Sequence, residues 1–261
     1  MNSTFNILAI GDVVGKPGRK ICRRKIEDLR HEHAVDFVIV NGENAAGGMS
    51  ITPDATRELL DSGADVITTG NHVWASKEIE EYIDIEPRLL RPANYPPGVR
   101  GNGFGIFEVF TRKICVINLM GRIGMEPLDC PFRKFDHIYK TVQDHADIII
   151  VDFHAETTSE KRALGWYLAG RASAVYGTHT HVQTSDEEVL PGGTAYITDL
   201  GMTGSFNSVI GMDIDISLQR FLTASRRRFT VATGNVKLNG AVFYLNDEGR
   251  AVDVRRLSVP D

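Results

Sequence analysis

Short runs of β-branched and other apolar residues recur along the chain, each bounded by Gly, Asn or Asp. They are FNILAI (5–10), DFVIV (36–40), DVITT (65–69), KICVIN (113–118), ADIIIVD (146–152) and SAVYG (173–177). Runs of this length between turn formers read as buried strands. Several of the intervening stretches have helical character. Residues 17–33 open on Pro17, a suitable first helical position, and set Ile21, Ile26 and Leu29 among many charges. Residues 53–62 open on Pro53 behind Thr52, a reasonable N-cap. Segments 76–84, 133–145 and 157–170 are further expected helices. Strand–helix alternation predicts an α/β layered sheet, made mixed by the hairpin expected in GFGIFEVFTRKICVIN (103–118).

Beyond about residue 190 the pattern turns to β, in GTAYITDLG, RFTVATGNVKLNGAVFYLN and AVDVRRLSV, with Asn246, Asp247, Glu248 and Gly249 as a turn. A second sheet packed on the first would account for this tail. Neither an internal repeat nor a Ser/Pro-rich linker divides the chain, so residues 1–261 are expected to form one domain.

Composition narrows the class. With 42% hydrophobic and 24% charged residues the chain has ordinary globular character, which excludes disorder and fibrous repeats. Lys and Arg number 29 against 34 Asp and Glu, a net charge of −5, the wrong sign for a protein that coats duplex nucleic acid. Cys22, Cys115 and Cys130 are odd in number and lack CxxC spacing, so they read as reduced thiols. The N-terminal MNSTFNILAIGD has no basic stretch, and its apolar run is too short for a signal peptide or membrane span. A cytoplasmic location without membrane contact is expected.

The informative feature is where polar residues fall. Five of the apolar runs end in clusters of metal-ligand side chains: Gly11-Asp12, Asn41-Gly42-Glu43-Asn44, Gly70-Asn71-His72, His154, and His179-Thr180-His181. Sites in open α/β sheets form outside the carboxyl ends of strands, so these clusters can converge. They offer carboxylates, amides and imidazoles, a mixed set suited to Mn, Fe or Zn. Each has a plainer reading. Asp12 alone is a turn residue, Glu43 and Asn44 are loop polars, Asn71 is an Asx turn, and His72 is a surface histidine. His154 alone is a hydrogen-bonded core histidine. His179 and His181 are stronger, because positions i and i+2 of an extended segment share a face. All these plain readings would have to hold together for the clusters to be without function. His31, His33, His137 and His145 lie in charged helical stretches and read as surface residues.

The order of these clusters resembles the calcineurin-like metallophosphoesterase superfamily. Three departures are specific: Val14 replaces the histidine of the Asp-x-His motif, Glu43 replaces the metal-bridging Asp, and no acidic residue follows His72. They match one subgroup, the YmdB-like phosphodiesterases, through GDVVGKPGR (11–19), NGENAAGG (41–48), GNHVW (70–74), DFHAE (152–156), GTHTHVQTSD (177–186) and LPGGTAYITDLGMTG (190–204). The resemblance covers nearly the whole chain.

It implies a calcineurin-like α/β sandwich, two packed mixed sheets flanked by helices. It also implies two divalent or trivalent metal ions per chain, Fe or Mn before Zn. One would be held by Asp12, Glu43, Asn44 and His181, the other by Glu43, Asn71, His154 and His179, with Glu43 bridging. Asn44 would compensate for the histidine missing at Val14. His72 would be the catalytic residue at the leaving oxygen. The activity implied is hydrolysis of small cyclic nucleotides of the 2′,3′-cAMP type by in-line attack of a metal-bridging hydroxide. Two alternatives stay open: a broad phosphomonoesterase, and a metal-dependent nucleotide-binding regulatory protein. Substrate-binding residues are not assigned; Arg19, Arg122 and Lys77 are candidate outer phosphate contacts. A homo-oligomer is expected from the resemblance and from base rates.

Overall fold

Strand Phe5–Ile10 is buried on both faces, and its alternation sets the layers. Leu8 and Ile10 pack on helix Gly15–Glu32 through Ile21, Cys22, Ile26 and Leu29. Ile7 and Ala9 point the other way, onto Ile114, Val116, Ile148, Ile150, Ala174 and Tyr176 of a second sheet. That sheet in turn buries Ile117, Ile149, Val151 and Phe153 against Phe135, Ile138, Leu164 and Leu168 of helices Pro131–Val142 and Thr158–Leu168. The result, in a computed structural model that describes residues 4–225 and 227–261, is helix, sheet, sheet, helix. Period-two alternation with both faces apolar is what two covered sheets require.

In the first sheet Phe5–Ile10, Phe37–Asn41, Val66–Thr68 and Leu89–Leu90 run parallel, in that order. On the other side of Phe5–Ile10 lies Val236–Leu245, antiparallel, followed by Ala251–Pro260. The second sheet runs Glu188–Leu190, Thr194–Ile197, Ala174–Thr178, Ile148–His154, Arg112–Met120 and Phe104–Val109. Its middle four strands are parallel and its two edges antiparallel, and the expected hairpin at 103–118 is one of those edges. Tyr176 stacks on Phe243 across the two sheets, with centroids 5.8 Å apart.

Several expectations from the sequence are corrected. Of the β-rich tail, Thr194–Ile197 does join the second sheet, but Val236–Leu245 and Ala251–Pro260 complete the first, because Val236–Leu245 fills the open edge beside Phe5–Ile10. Residues 228–235 lack the expected strand apart from a bridge between Val231 and Met212. Within the β-rich tail lies an unexpected helix, Ile214–Thr223, capped by Asp213, whose side chain accepts from the Ile216 N–H at 3.0 Å. The helix expected at 17–33 starts at Gly15, ahead of Pro17, and that expected at 133–145 starts on Pro131. The segment 76–84 makes only one helical turn, Ile79–Tyr82, after a 3₁₀ turn at Val73–Ala75. Helix Pro53–Asp61 matches its expectation, with Thr52 accepting from the Ala55 N–H at 3.3 Å. Among the described residues no helix is long and apolar enough to cross a membrane.

Candidate metal centre

The parallel strands of both sheets end at one edge of the sandwich, and the polar clusters meet there. Phe5–Ile10 leads to Asp12, Phe37–Asn41 to Glu43 and Asn44, and Val66–Thr68 to Asn71 and His72. From the second sheet, His154 ends its strand and Ala174–Thr178 leads to His179 and His181. Asp12, Glu43, Asn44 and His154 are fully buried, whereas Asn71, His72, His179 and His181 are partly open. His179 and His181 hold left-handed φ values of 101° and 65°. Such strain in non-glycine residues persists only where the surroundings impose it, and it concentrates at functional sites.

Ligand atoms of Glu43, His154 and His179 lie within 4.8 Å of one another, and those of Asp12, Glu43 and His181 do the same. Glu43 belongs to both groups. In the first, His154 Nε2 is 3.0 Å from Asn71 Oδ1, 3.0 Å from His179 Nδ1 and 3.2 Å from Glu43 Oε2. In the second, Asn44 Nδ2 lies 2.9 Å from Glu43 Oε1 and 3.0 Å from His181 Nε2, while the His179 N–H reaches Asp12 Oδ2 at 3.1 Å. His72 stands beside both, its Nδ1 2.8 Å from Asn44 Oδ1 and 3.4 Å from Glu43 Oε1.

The electrostatics of the cluster are unusual. Burial disfavours ionisation of Glu43, yet His154 and His72 hold its carboxyl well below the carboxylate range. Burial pushes Asp12 up. Burial also opposes charge on His154, but the Glu43 and Asp12 charges raise it to about 9. His179, desolvated and facing His154, falls to about 3. The hydrogen bond to Glu43 raises His72.

This donor set fits a cation. A single N–H on His154 Nε2 can satisfy one of its three neighbours, and the Asn71 and Glu43 oxygens bring no proton of their own. Lone pairs therefore converge where a metal satisfies all of them. Gly70 keeps the space clear, since a Cβ there would stand 2.2 Å from His154 Cδ2 and 2.3 Å from Glu43 Oε2. Asn44 meets the requirement in part. Its NH2 faces Glu43 and His181 and its oxygen faces His72, so ligation through oxygen requires the amide to turn over.

The sequence reading missed the residues that hold these ligands. Thr178 Oγ1 bonds His154 Nδ1 at 2.9 Å and donates to Asp152 at 2.7 Å, and Asp152 also accepts from Thr68 and Asn41. Burial lifts the Asp152 carboxyl to about 6. His179 Nε2 bonds Glu156 at 2.9 Å. Behind the histidine loop Lys161 pairs with Asp199 at 2.6 Å, both 1% exposed. Asp199 Oδ2 also accepts from the Thr180 N–H and hydroxyl, and Oδ1 from the Gly201 N–H. A buried pair thus fixes the turn between His179 and His181. Orientation of metal-binding histidines through the other ring nitrogen is the usual arrangement in such centres. Asp152 and Thr178 fall within the motifs DFHAE and GTHTHVQTSD, but at the ends of apolar strands their supporting role does not show, and Lys161 lies in a charged helix outside every motif.

One cavity of about 590 Å³ opens on the cluster, lined by Glu43, Asn44, His72, Glu156, His179 and His181 on one side. Its far side comes from Met49, Ile210, Met212, Arg220, Phe221 and Phe229. Arg19, Arg122 and Lys77 do not line it. Arg19 instead pairs with Glu58 at 2.5 Å and reaches the Ala45 carbonyl, tying the first helix to the Glu43 loop. Val14, where the superfamily motif has histidine, is buried with Met202 and Met212, beneath Phe229 and Val231. Cys22, Cys115 and Cys130 are free and lie outside the cavity.

The chain is similar to known proteins over nearly its whole length. The family described as YmdB-like protein matches residues 8–257. A 2′,3′-cyclic-nucleotide 2′-phosphodiesterase of Bacillus subtilis (strain 168) is 48% identical over 258 residues, 98% of each chain. The crystal structure of a phosphatase from Mycoplasma pneumoniae superposes with a TM-score of 0.93 at 33% identity, covering 100% of this chain and 95% of the other. NAD nucleotidase of Haemophilus influenzae shares the fold alone: TM-score 0.58, 12% identity, 100% of this chain and 57% of the other. The α/β sandwich is the calcineurin-like metallophosphoesterase fold.

Proposed function

The chain belongs to the YmdB-like family, and from that membership we propose that it is a metal-dependent phosphodiesterase of small cyclic nucleotides, those of the 2′,3′ type first. The observation that carries this is the sharing of Glu43 by two groups of ligand atoms, with His72 beside them in the same cavity. Asp12, Glu43, Asn44 and His181 are the proposed ligands of one cation; Glu43, Asn71, His154 and His179 are those of the other. Fe and Mn suit this oxygen–nitrogen set first, and Zn also. Cations held there would neutralise phosphate charge and lower the pKa of a water so that hydroxide is available at neutral pH.

The protein's own contribution is positional and protonic. His72 Nδ1 faces the Asn44 amide at 2.8 Å, whichever end of that amide is turned toward it, which leaves Nε2 as the nitrogen that meets substrate. His72, whose proton affinity the hydrogen bond to Glu43 raises, is placed to deliver a proton from Nε2 to the departing ribose 2′-oxygen. Breaking that ester leaves a nucleoside 3′-monophosphate. Thr178, Glu156 and the Lys161–Asp199 pair keep the histidines in place during the reaction.

Assay of the metal-reconstituted protein on adenosine 2′,3′-cyclic phosphate, adenosine 3′,5′-cyclic phosphate and an aryl phosphate monoester tests the reading. The expected preference is for the 2′,3′ diester. Turnover of the monoester with none of either diester would instead make the protein a phosphomonoesterase, and binding without turnover would make it a regulatory module.

A further inference from the structure

The cavity has a second wall of opposite character. Facing the ligand cluster are Met49, Ile210, Met212, Phe221 and Phe229. Three of these side chains are wide open, Met49 and Ile210 at 51% and Phe221 at 84% exposure. Large apolar groups gathered in the open beside a cleft are stabilised when a ligand covers them. The wall is nonetheless anchored. Met212 is buried on Val14 and Met202, and the Arg220 guanidinium lies 3.9 Å over the Phe229 ring. The Ile210 carbonyl bonds His181 Nδ1 at 2.8 Å, so the wall and the ligand cluster are built onto one another.

We propose that this wall is the nucleoside subsite, on which the substrate base packs against Met49, Ile210 and Phe221 while its cyclic phosphate lies at His72. The assignment rests on the functional reading above. It deepens that reading by stating what recognises the rest of the molecule. A cavity of about 590 Å³ falls within the size range of small-ligand sites, and it runs without a break from His72 to Phe221. Polar side chains at the apolar end are few. Ser217 donates its hydroxyl to the Asp213 carbonyl at 2.7 Å, and Arg220 gives one N–H to the Arg227 carbonyl at 3.3 Å while its guanidinium covers Phe229. Reading a base edge requires free, convergent hydrogen-bonding groups, whereas packing on a base face requires only apolar area. The subsite therefore holds bases by their faces, tolerates all of them, and favours purines through their greater area.

The test compares the metal-reconstituted wild type with the doubly substituted Met49→Ala/Phe221→Ala protein. Both side chains are exposed, so the fold is not at stake. Substrates are adenosine and cytidine 2′,3′-cyclic phosphates and the abasic ribose 2,3-cyclic phosphate. Calorimetry of adenosine 3′-monophosphate and ribose 3-phosphate provides a reading independent of turnover. The expected result is a roughly tenfold rise in KM for the adenosine diester and a similar weakening of adenosine monophosphate binding. The abasic compounds should change at least about fivefold less, and the wild type should prefer adenosine over cytidine by less than about tenfold. Equal losses on base-bearing and abasic compounds, or no loss on either, overturn the subsite and leave the functional reading standing. Failure of the wild type on every cyclic diester overturns the functional reading. In that event the calorimetric difference between the base-bearing and abasic phosphates still decides the subsite, its presence supporting the wall and its absence overturning it.

Discussion

The two walls of the cavity are built on opposite plans. The ligand wall stands on strand ends, is largely buried, and gives its histidines second partners: His154 leans on Thr178, His179 on Glu156 and His181 on Ile210. The apolar wall stands on a loop and a helix, Ile214–Thr223, that buries only Ser217, and it leaves Phe221 and Leu222 in water. Groups that handle charge act only if they are fixed before the reaction, because reorganising them during it costs free energy. Groups that cover an apolar base face need area more than precision. The difference teaches that one cavity can join a densely hydrogen-bonded polar wall to an apolar wall left open to solvent, the first suited to handling charge and the second to covering an apolar face.

The largest effect should come from the residue both metal groups share. Glu43→Gln keeps the shape and removes the charge, forfeiting several kcal/mol of transition-state stabilisation, which is a loss of about 10³-fold in turnover. Metal analysis should find at least one site depleted. Full metal content and near-normal turnover would mean that the ligand wall is wrongly assigned.

Next in size is His72→Ala. Turnover of the cyclic diester should fall about 10²-fold or more with metal content intact. The loss should be smaller on an aryl phosphate ester, whose leaving group needs little protonation. Equal losses on both would point to stabilisation of transition-state charge in place of proton donation.

Lys161→Met asks whether the rigidity of the ligand wall matters to its chemistry. It strands the Asp199 carboxylate in the interior, at a cost of about 3–5 kcal/mol in unfolding stability. Well below the melting transition, metal affinity should also drop about 10–100-fold, because the turn between His179 and His181 loses its anchor. A variant that is less stable yet binds metal normally would reduce the pair to a packing feature.

Smallest of all, alanine at Cys22, Cys115 or Cys130 should leave metal content and turnover within about twofold, with roughly 1 kcal/mol of stability lost at the buried positions. Metal loss from a stable cysteine variant would break the ligand assignment.

What the sequence disclosed follows the same division. Asp12, Glu43, Asn71, His154, His179 and His181 were legible because chemistry-bearing residues closed apolar runs, and a strand end is a place that sequence periodicity locates well. The supports were not legible. Asp152 and Thr178 look like ordinary members of strands, and the Lys161–Asp199 pair joins residues far apart in sequence. The Phe229 segment of the apolar wall was expected to be β structure, since RFTVATGNV is rich in β-formers, but it is irregular and packs through tertiary contacts such as Arg220 on Phe229. Helix Ile214–Thr223 did carry a signal, Asp213 as cap with Ile214, Leu218, Phe221 and Leu222 at helical spacing, but that stripe faces the open instead of a core. The layering erred for a similar reason. Alternation shows that a strand is buried but not which sheet it joins, so Val236–Leu245 could be placed beside Phe5–Ile10 only by the fold itself.

The central claim is that Glu43 joins two cation sites, and anomalous diffraction from metal-reconstituted crystals tests it directly. The account predicts two anomalous peaks per chain, one on each side of the Glu43 carboxylate and roughly 3.5–4 Å apart. One should lie among Asn71, His154 and His179 and the other among Asp12, Asn44 and His181. A single peak, or a pair that Glu43 does not touch, would contradict it.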